Sequence, residues 1–381
     1  MAFAQDIIDA RVRVVVLTTS WPRDSRDATG RFLANQVERL RAADCPVTVV
    51  APRSARAGGF PDFGLAGGAG IVANARRHPF RVPLLLLSMV RALRKAARHA
   101  DVVHANWLLT APIAALAGKP VVLTLHGSGT AGRFEDLRIA KDMPWLFRWL
   151  VRRAAVVVGV SPLLADAART AGARHVVEIP HGVDLPPLRR WVEEPAAGED
   201  AAGEDAADTR PIALFAGRLS PEKGIEALAT AFEQLPDVRL VVAGDGPLRA
   251  RLQRVPDVEL LGVLSSEELD AQYDRASMLV MPSLREGFGV VALEAMAHAV
   301  PVVASRVGGL ARLVEDDVSG LLIEPGSVEE LRSAVSRLAA DPDLRARLGA
   351  AGRKEAGENY SWVRSTERML DAYRIAVNHE R

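Results

Sequence analysis

Residues 281–309 read MPSLREGFGVVALEAMAHAVPVVASRVGG. The stretch leaves one apolar run, 278–281, and crosses a Gly-rich loop. A helix starts near Gly289, and the chain then enters a second apolar run, 300–304. Short Val/Leu/Met runs joined through a helix read as parallel strands buried on both faces. Working outward, runs at 212–215, 239–243 and 258–261 precede the stretch and one at 320–323 follows it. The N-terminal half carries a matching series at 12–17, 46–50, 102–104, 121–125, 156–160 and 176–179. Helix-length segments separate them all, which predicts an α/β fold of two doubly wound, Rossmann-like domains facing a central cleft.

Between the two series lies EEPAAGEDAAGEDAADTR, residues 193–210, in which AAGED is repeated at once. Nothing in it but Ala is apolar, so it cannot bury enough surface to order itself and reads as an acidic linker. The expected organisation is an N-terminal domain over 1–190, a linker over 191–210 and a C-terminal domain over 211–360. A last helix, 361–381, is expected to pack back on the N-terminal domain.

The 381 residues suit two or three domains. With 49% apolar and 25% charged residues the composition is that of a soluble globular chain. Lys plus Arg (48) nearly cancel Asp plus Glu (47), which argues against a nucleic-acid coat. The single cysteine, Cys45, excludes an internal disulfide framework or cysteine metal cage. No charged segment precedes an apolar stretch at the N-terminus, and the greasy run 82–90 is too short for a bilayer. A cytoplasmic protein is expected.

Ligands of open parallel sheets sit beyond the carboxyl ends of the strands. After the run 212–215 comes Ala-Gly-Arg-Leu-Ser-Pro-Glu-Lys-Gly, 216–224. There Arg218 offers a planar fork of donors and Lys223 a point charge, both at a helix start that favours anions. The alternative is a solvated loop with two surface cations. Gly-Asp-Gly-Pro, 244–247, fits a tight turn as well as a ligand contact. In the quoted stretch, Glu286 is followed by Gly287-Phe288-Gly289, where glycines would let backbone amides approach a ligand. Glu294 sits among Val291, Ala292, Leu293, Ala295 and Met296, so it must be paired or must face something polar. Ionised carboxylates only accept hydrogen bonds, which suits a polyol or sugar. In the first half, His104, His126 and His181 fall at strand ends. His126 leads into Gly127-Ser128-Gly129, and Gly30 opens the helix after a long polar loop. Each lone histidine is equally readable as a satisfied core or loop residue.

Together, Gly-Arg-(x4)-Lys-Gly, Gly-Asp-Gly-Pro and Glu-Gly-Phe-Gly-(x4)-Glu resemble glycosyltransferase family 4. His-Ala-Asn-Trp (104–107), Leu-His-Gly-Ser (125–128) and Pro-His-Gly-Val-Asp (180–184) agree. The resemblance implies a GT-B fold and transfer with retention of configuration from a nucleotide-sugar donor. By it, Glu294 binds the donor ribose, while Glu286, Gly287, Phe288 and Gly289 contact the transferred sugar. Gly217, Arg218 and Lys223 hold the diphosphate. His126 lies near the reacting carbon and Gly30 near the diphosphate. Departures are Asn106 and Gly129, where the family often has His and Asp. Neither metal nor cofactor is implied: Asp341-Pro342-Asp343 reads as a helix start. A nicotinamide dehydrogenase lacks its Gly-x-Gly-x-x-Gly after the first strand. A non-catalytic sugar-nucleotide-binding subunit is disfavoured by the intact site residues.

Residues 84–98 read LLLLSMVRALRKAAR. Arg91, Arg94, Lys95 and Arg98 share one helical face, with Arg76, Arg77 and Arg81 just before. Leu86, Met89, Val90, Leu93 and Ala97 line much of the rest. Such a helix suits peripheral contact with an anionic membrane, on the inner face of the cell membrane; the bland reading is a helix packed on the sheet. A lipid-linked, polysaccharide or small-molecule acceptor fits equally.

Overall fold

The computed structural model describes residues 11–22, 30–52, 59–63, 65, 71–127, 136–187 and 208–378. Residues 191–207 of the proposed linker lie outside this set, as do loop residues 23–29 and Ser128 and Gly129. The chain divides into two compact units, one formed by 1–182 with 362–381 and the other by 183–361.

The N-terminal unit holds strands β1 (Val14–Leu17), β2 (Val47–Val50), β3 (Val102–Asn106), β4 (Val121–Leu125), β5 (Val156–Gly159) and β6 (Val176–Glu178). They form one parallel sheet of order β2-β1-β3-β4-β5-β6. The C-terminal unit holds β7 (Ile212–Ala216), β8 (Arg239–Ala243), β9 (Val258–Gly262), β10 (Met278–Met281), β11 (Val302–Ser305) and β12 (Gly320–Ile323). Its sheet, also parallel, has the order β12-β11-β10-β7-β8-β9. All twelve expected strands are present, their ends displaced by two residues or fewer. β-Branched residues dominate β1, β2 and β5, and most positions in these strands are buried, as parallel strands covered on both faces require.

The division falls at Gly182/Val183, earlier than the 190/191 boundary read from composition. The reason is local. Val183 N–H bonds Tyr360 O at 2.8 Å, and Arg353 Nη2 donates to Pro186 O at 2.7 Å. These bonds tie 183–186 to the C-terminal unit. Helix Trp362–Asn378 belongs to the N-terminal unit, and its Met369, Ala372, Tyr373 and Ala376 join that unit's core.

Helix Val82–Ala97 buries Leu85, Met89, Leu93 and Ala97 at four-residue spacing. Met89, Leu93 and Ala97 are therefore core side chains, as the sheet-packed alternative requires, and do not form a free apolar face. Exposed apolar surface is confined to its N-terminal turns, at Leu84, Leu86 and Leu87, and to Phe80 just before. Among the described residues no helix is long and apolar enough to cross a membrane.

Candidate active site

In the C-terminal unit the strand order reverses between β7 and β10, and the crevice beyond their carboxyl ends is where such sheets take ligands. The loop after β7 carries Gly217, Arg218 and Lys223; the loop after β10 carries Glu286, Gly287, Phe288 and Gly289. The two loops meet. Lys223 Nζ donates to Glu286 Oε2 at 2.6 Å, with the Glu286 side chain only 9% exposed. The meeting depends on Gly224, whose φ is 72° and where a Cβ would stand 1.8 Å from Pro282 O. Any other side chain there would drive the loops apart.

Arg218 is exposed, and its charge acts on Glu222. Glu222 accepts from Ser220 Oγ at 2.7 Å. Burial pushes the Glu222 pKa up, but the Ser220 hydroxyl, its own backbone amide and the charges of Lys223 and Arg218 outweigh it and lower the pKa. The two cations thus stand among two carboxylates. The Gly-Asp-Gly-Pro turn braces the same loop: Gly217 N–H bonds Ala243 O at 2.9 Å and Leu219 N–H bonds Asp245 O at 3.0 Å. Phe288 is buried, and Gly289 leads into helix Val290–Ala297.

Glu294 lies on that helix, half-buried. Its partner, which the sequence reading missed, is Tyr273, whose buried phenol donates to Glu294 Oε2 at 2.9 Å. Tyr273 comes from helix Ser266–Arg275, started by a capping box in which Ser265 and Glu268 bond each other's backbone. His298 packs on the Tyr273 ring at 5.1 Å and bonds Asp274 Oδ1 at 3.0 Å. Burial would lower the His298 pKa, but Asp270 and Asp274 outweigh it and raise it. Two further buried hydroxyls, Ser283 after β10 and Ser305 at the end of β11, have no hydrogen-bond partner.

In the N-terminal unit the candidate residues gather at the ends of β3 and β4. His104 is not among the open ones: its ring bonds Tyr373 OH at 2.8 Å and Thr124 Oγ1 at 2.7 Å. It is a satisfied core histidine, its pKa pushed down to about 3 by burial. His126 does belong to the cluster. Its Nε2 bonds Asn106 Oδ1 at 2.9 Å, its ring centroid lies 4.4 Å from that of Trp107, and it stacks on His181 at 5.6 Å. Phe32 packs on both histidines. Burial, followed by the charges of His181 and His104, holds the His126 pKa well below the usual range. Burial lowers the His181 pKa to about 4. Gly30 starts helix Arg31–Ala42 with φ 75°, and a Cβ there would lie 2.4 Å from Ser20 O. A tight approach between the β1 loop and this helix therefore requires glycine.

Sequence reading also missed Asp136. It is buried at the start of helix Asp136–Asp142 and accepts three backbone N–H groups: His126 at 2.8 Å, Gly127 at 3.2 Å and Leu108 at 3.2 Å. Nothing in its local sequence marks it, because its partners follow two other strands. Asp341 caps helix Pro342–Asn359 through Leu344 N–H at 2.8 Å. Among the described residues no group of three or more His, Cys, Asp or Glu is gathered to hold a metal.

Residues 29–186 match the profile of Glycosyltransferase Family 4, and residues 198–355 that of glycosyl transferases group 1. The alpha-maltose-1-phosphate synthase of Mycolicibacterium smegmatis is 30% identical, over 95% of this chain and 99% of its own. Sucrose-phosphate synthase from Thermosynechococcus elongatus superposes with TM-score 0.76 at 24% identity, covering 96% of this chain and 98% of that one. Anabaena HepE, solved with UDP and glucose, superposes with TM-score 0.70 at 21% identity, covering 94% and 98%.

Proposed function

Because the chain belongs to glycosyltransferase family 4 and has the GT-B fold, we propose that it transfers a sugar with retention from a nucleotide-sugar donor. The observation that carries the reading is the Lys223–Glu286 pair, with Arg218 in the same loop after β7, at the strand-order reversal of the C-terminal unit. Arg218 and Lys223 neutralise the departing diphosphate, doing with fixed cations what a divalent ion does elsewhere. Glu294, steadied by Tyr273, accepts from ribose hydroxyls; Glu286 accepts from the transferred sugar. The UDP and glucose of the HepE complex make a uridine diphosphate sugar the first donor to try.

In the proposed step the bond from the anomeric carbon to the β-phosphate oxygen breaks. The acceptor oxygen bonds the same face, and its proton passes to a leaving-group phosphate oxygen. No protein base is needed. The acceptor is a glycolipid, polysaccharide or small alcohol. A lipid-linked one is favoured by Phe80, 92% exposed, and Leu84 and Leu87 beside exposed Arg76, Arg77, Arg81 and Arg91, a surface suited to the inner face of a membrane. The test is slow hydrolysis across a panel of nucleotide sugars, with and without chelator, and NMR of the released anomer. One preferred donor, retained configuration and indifference to chelator support the reading. An inverted product or a strict metal requirement overturns it.

A further inference from the structure

Helices Ser266–Arg275 and Val290–Ala297 meet through five polar side chains. On the second helix, Glu294 and the capping residue His298 are four positions apart and share one face, with the His298 backbone N–H bonded to Glu294 O at 3.2 Å. On the first, Asp270, Tyr273 and Asp274 share a face by the same spacing. The two faces interlock. The Tyr273 phenol donates to Glu294 Oε2 at 2.9 Å, and its fully buried ring lies 5.1 Å from the His298 imidazole. His298 stands between the two aspartates: Nδ1 is 3.0 Å from Asp274 Oδ1, and Nε2 is 3.5 Å from Asp270 Oδ1.

An ionised carboxylate only accepts. Two ring nitrogens that each face one are therefore both satisfied only when both carry protons, and this geometry holds the imidazolium. Its charge also suits the C-terminus of Val290–Ala297, where the last carbonyls point outward. Burial disfavours the charged ring, and Asp270 and Asp274 overcome it. The remaining charged groups here are Glu294, one turn back, and Arg353 of helix Pro342–Asn359, which bonds the neighbouring Ala297 O. An imidazolium packed on a phenol is attracted to its ring and polarises its O–H towards Glu294. A neutral imidazole does neither.

We propose that His298 is a positioning residue of the nucleotide site: as the imidazolium it clamps Tyr273, and through the phenol it holds Glu294 in the orientation that accepts ribose hydroxyls. Only ribose as the occupant rests on the nucleotide-sugar reading; the clamp between the two helices does not.

The test follows His298 by NMR in the full chain, labelled with ¹³C and ¹⁵N in histidine. The protein is titrated with pH by itself, with saturating UDP and with saturating 2′,3′-dideoxy-UDP. Binding and protonation are reciprocal, so a clamp that favours UDP must itself be favoured by UDP. UDP should raise the pH at which His298 titrates, and UDP should bind about 5-fold more tightly below that midpoint than above it. The dideoxy ligand, with the same phosphates and no ribose hydroxyls, should leave the midpoint in place. A midpoint that UDP leaves unmoved or lowers overturns the inference, and so does an equal rise with both ligands. Tyr273→Phe keeps the ring and removes the hydroxyl, and should abolish the rise. His298→Gln should weaken UDP about 5-fold below the wild-type midpoint and match the wild type above it. An equal loss at both pH values makes the histidine a packing residue and overturns its positioning role; where His298→Gln does not fold, the wild-type titrations still decide. Failure of UDP to bind overturns the nucleotide-sugar reading instead, and the free protein then judges the clamp. There Glu294→Gln should lower the His298 midpoint, and an unchanged midpoint overturns the clamp.

Discussion

At the strand ends of the C-terminal unit, charge meets charge: Lys223 holds Glu286, and Glu222 stands near Arg218 and Lys223. At the strand ends of the N-terminal unit the groups are neutral and partly unmet: burial holds the His126 pKa down, and its Nδ1 and two nitrogens of its neighbours, Asn106 Nδ2 and Trp107 Nε1, lack partners. On the proposed diphosphate role, Lys223 exchanges an internal carboxylate partner for a phosphate. Charge suits a leaving group that gains negative charge as it departs, and the neutral cluster has no such charge to offer.

The hardest blow to this contrast is removal of a cation. Lys223→Ala or Arg218→Ala should each lower turnover about 100- to 1,000-fold, by steady-state kinetics with the preferred donor. Lys223→Ala should also lower the melting temperature by uncovering buried Glu286, and adding Glu286→Gln should restore stability but not activity. Full turnover in both single mutants would remove the diphosphate role.

Acid should separate the units next. His104 and His126 have lowered folded pKa values, so the unfolded chain binds their protons first as pH falls below about 6.5. Stability of the N-terminal unit is then lost as pH falls from about 6.5 towards about 3, where folded His104 titrates, by up to about 1.4 kcal/mol per pH unit for each histidine. His298 has the opposite sign: its contribution is full below about pH 6.5 and is lost as pH rises through its raised folded pKa. Hydrogen exchange at pH 5 should therefore show β3 and β4 opening before β10 and β11; the reverse order would refute the assignment.

A finer cut falls within the C-terminal unit. Glu294→Ala should weaken UDP binding, whereas Glu286→Ala should spare UDP and damage transfer. Tyr273→Phe, which removes the phenol's bond to Glu294, should cost about 10-fold in UDP affinity by calorimetry. Equal losses at Glu286 and Glu294 would end the division of labour.

The smallest effect belongs to the surface of the N-terminal unit. Arg91, Arg94, Lys95 and Arg98 changed to Glu should abolish weak, salt-sensitive binding to anionic vesicles and leave donor hydrolysis intact. Arg94 already spends its Nε on Leu116 O, at 3.0 Å, so its share should be the least. Absence of any preference of the wild-type protein for anionic vesicles at low salt would make a soluble acceptor the better reading.

How much of this was legible beforehand follows from sequence distance. Parallel strands announce themselves because both faces are buried, so β1 and β5 read as plain Val runs. Glu286, Gly289 and Glu294 were legible because one loop and one helix carry them all. Asp136, Tyr273 and His298 were not, since each acts on a residue from another element and has no local pattern. The two readings left open for Met89 and Leu93 are different in kind. Periodicity marks an apolar face but does not say whether a sheet or a lipid covers it, and here the helix packs on β1 and β2.

Helix Trp362–Asn378 sets an order of events on the ribosome. His104 in β3 is matched by Tyr373, 269 positions later, and the β3–β5 side of the first sheet is packed by this last helix. The C-terminal unit is complete in the nascent chain at residue 361, before that helix emerges. The unit synthesised first is therefore the one that finishes its core last, and until then its exposed apolar face is chaperone territory.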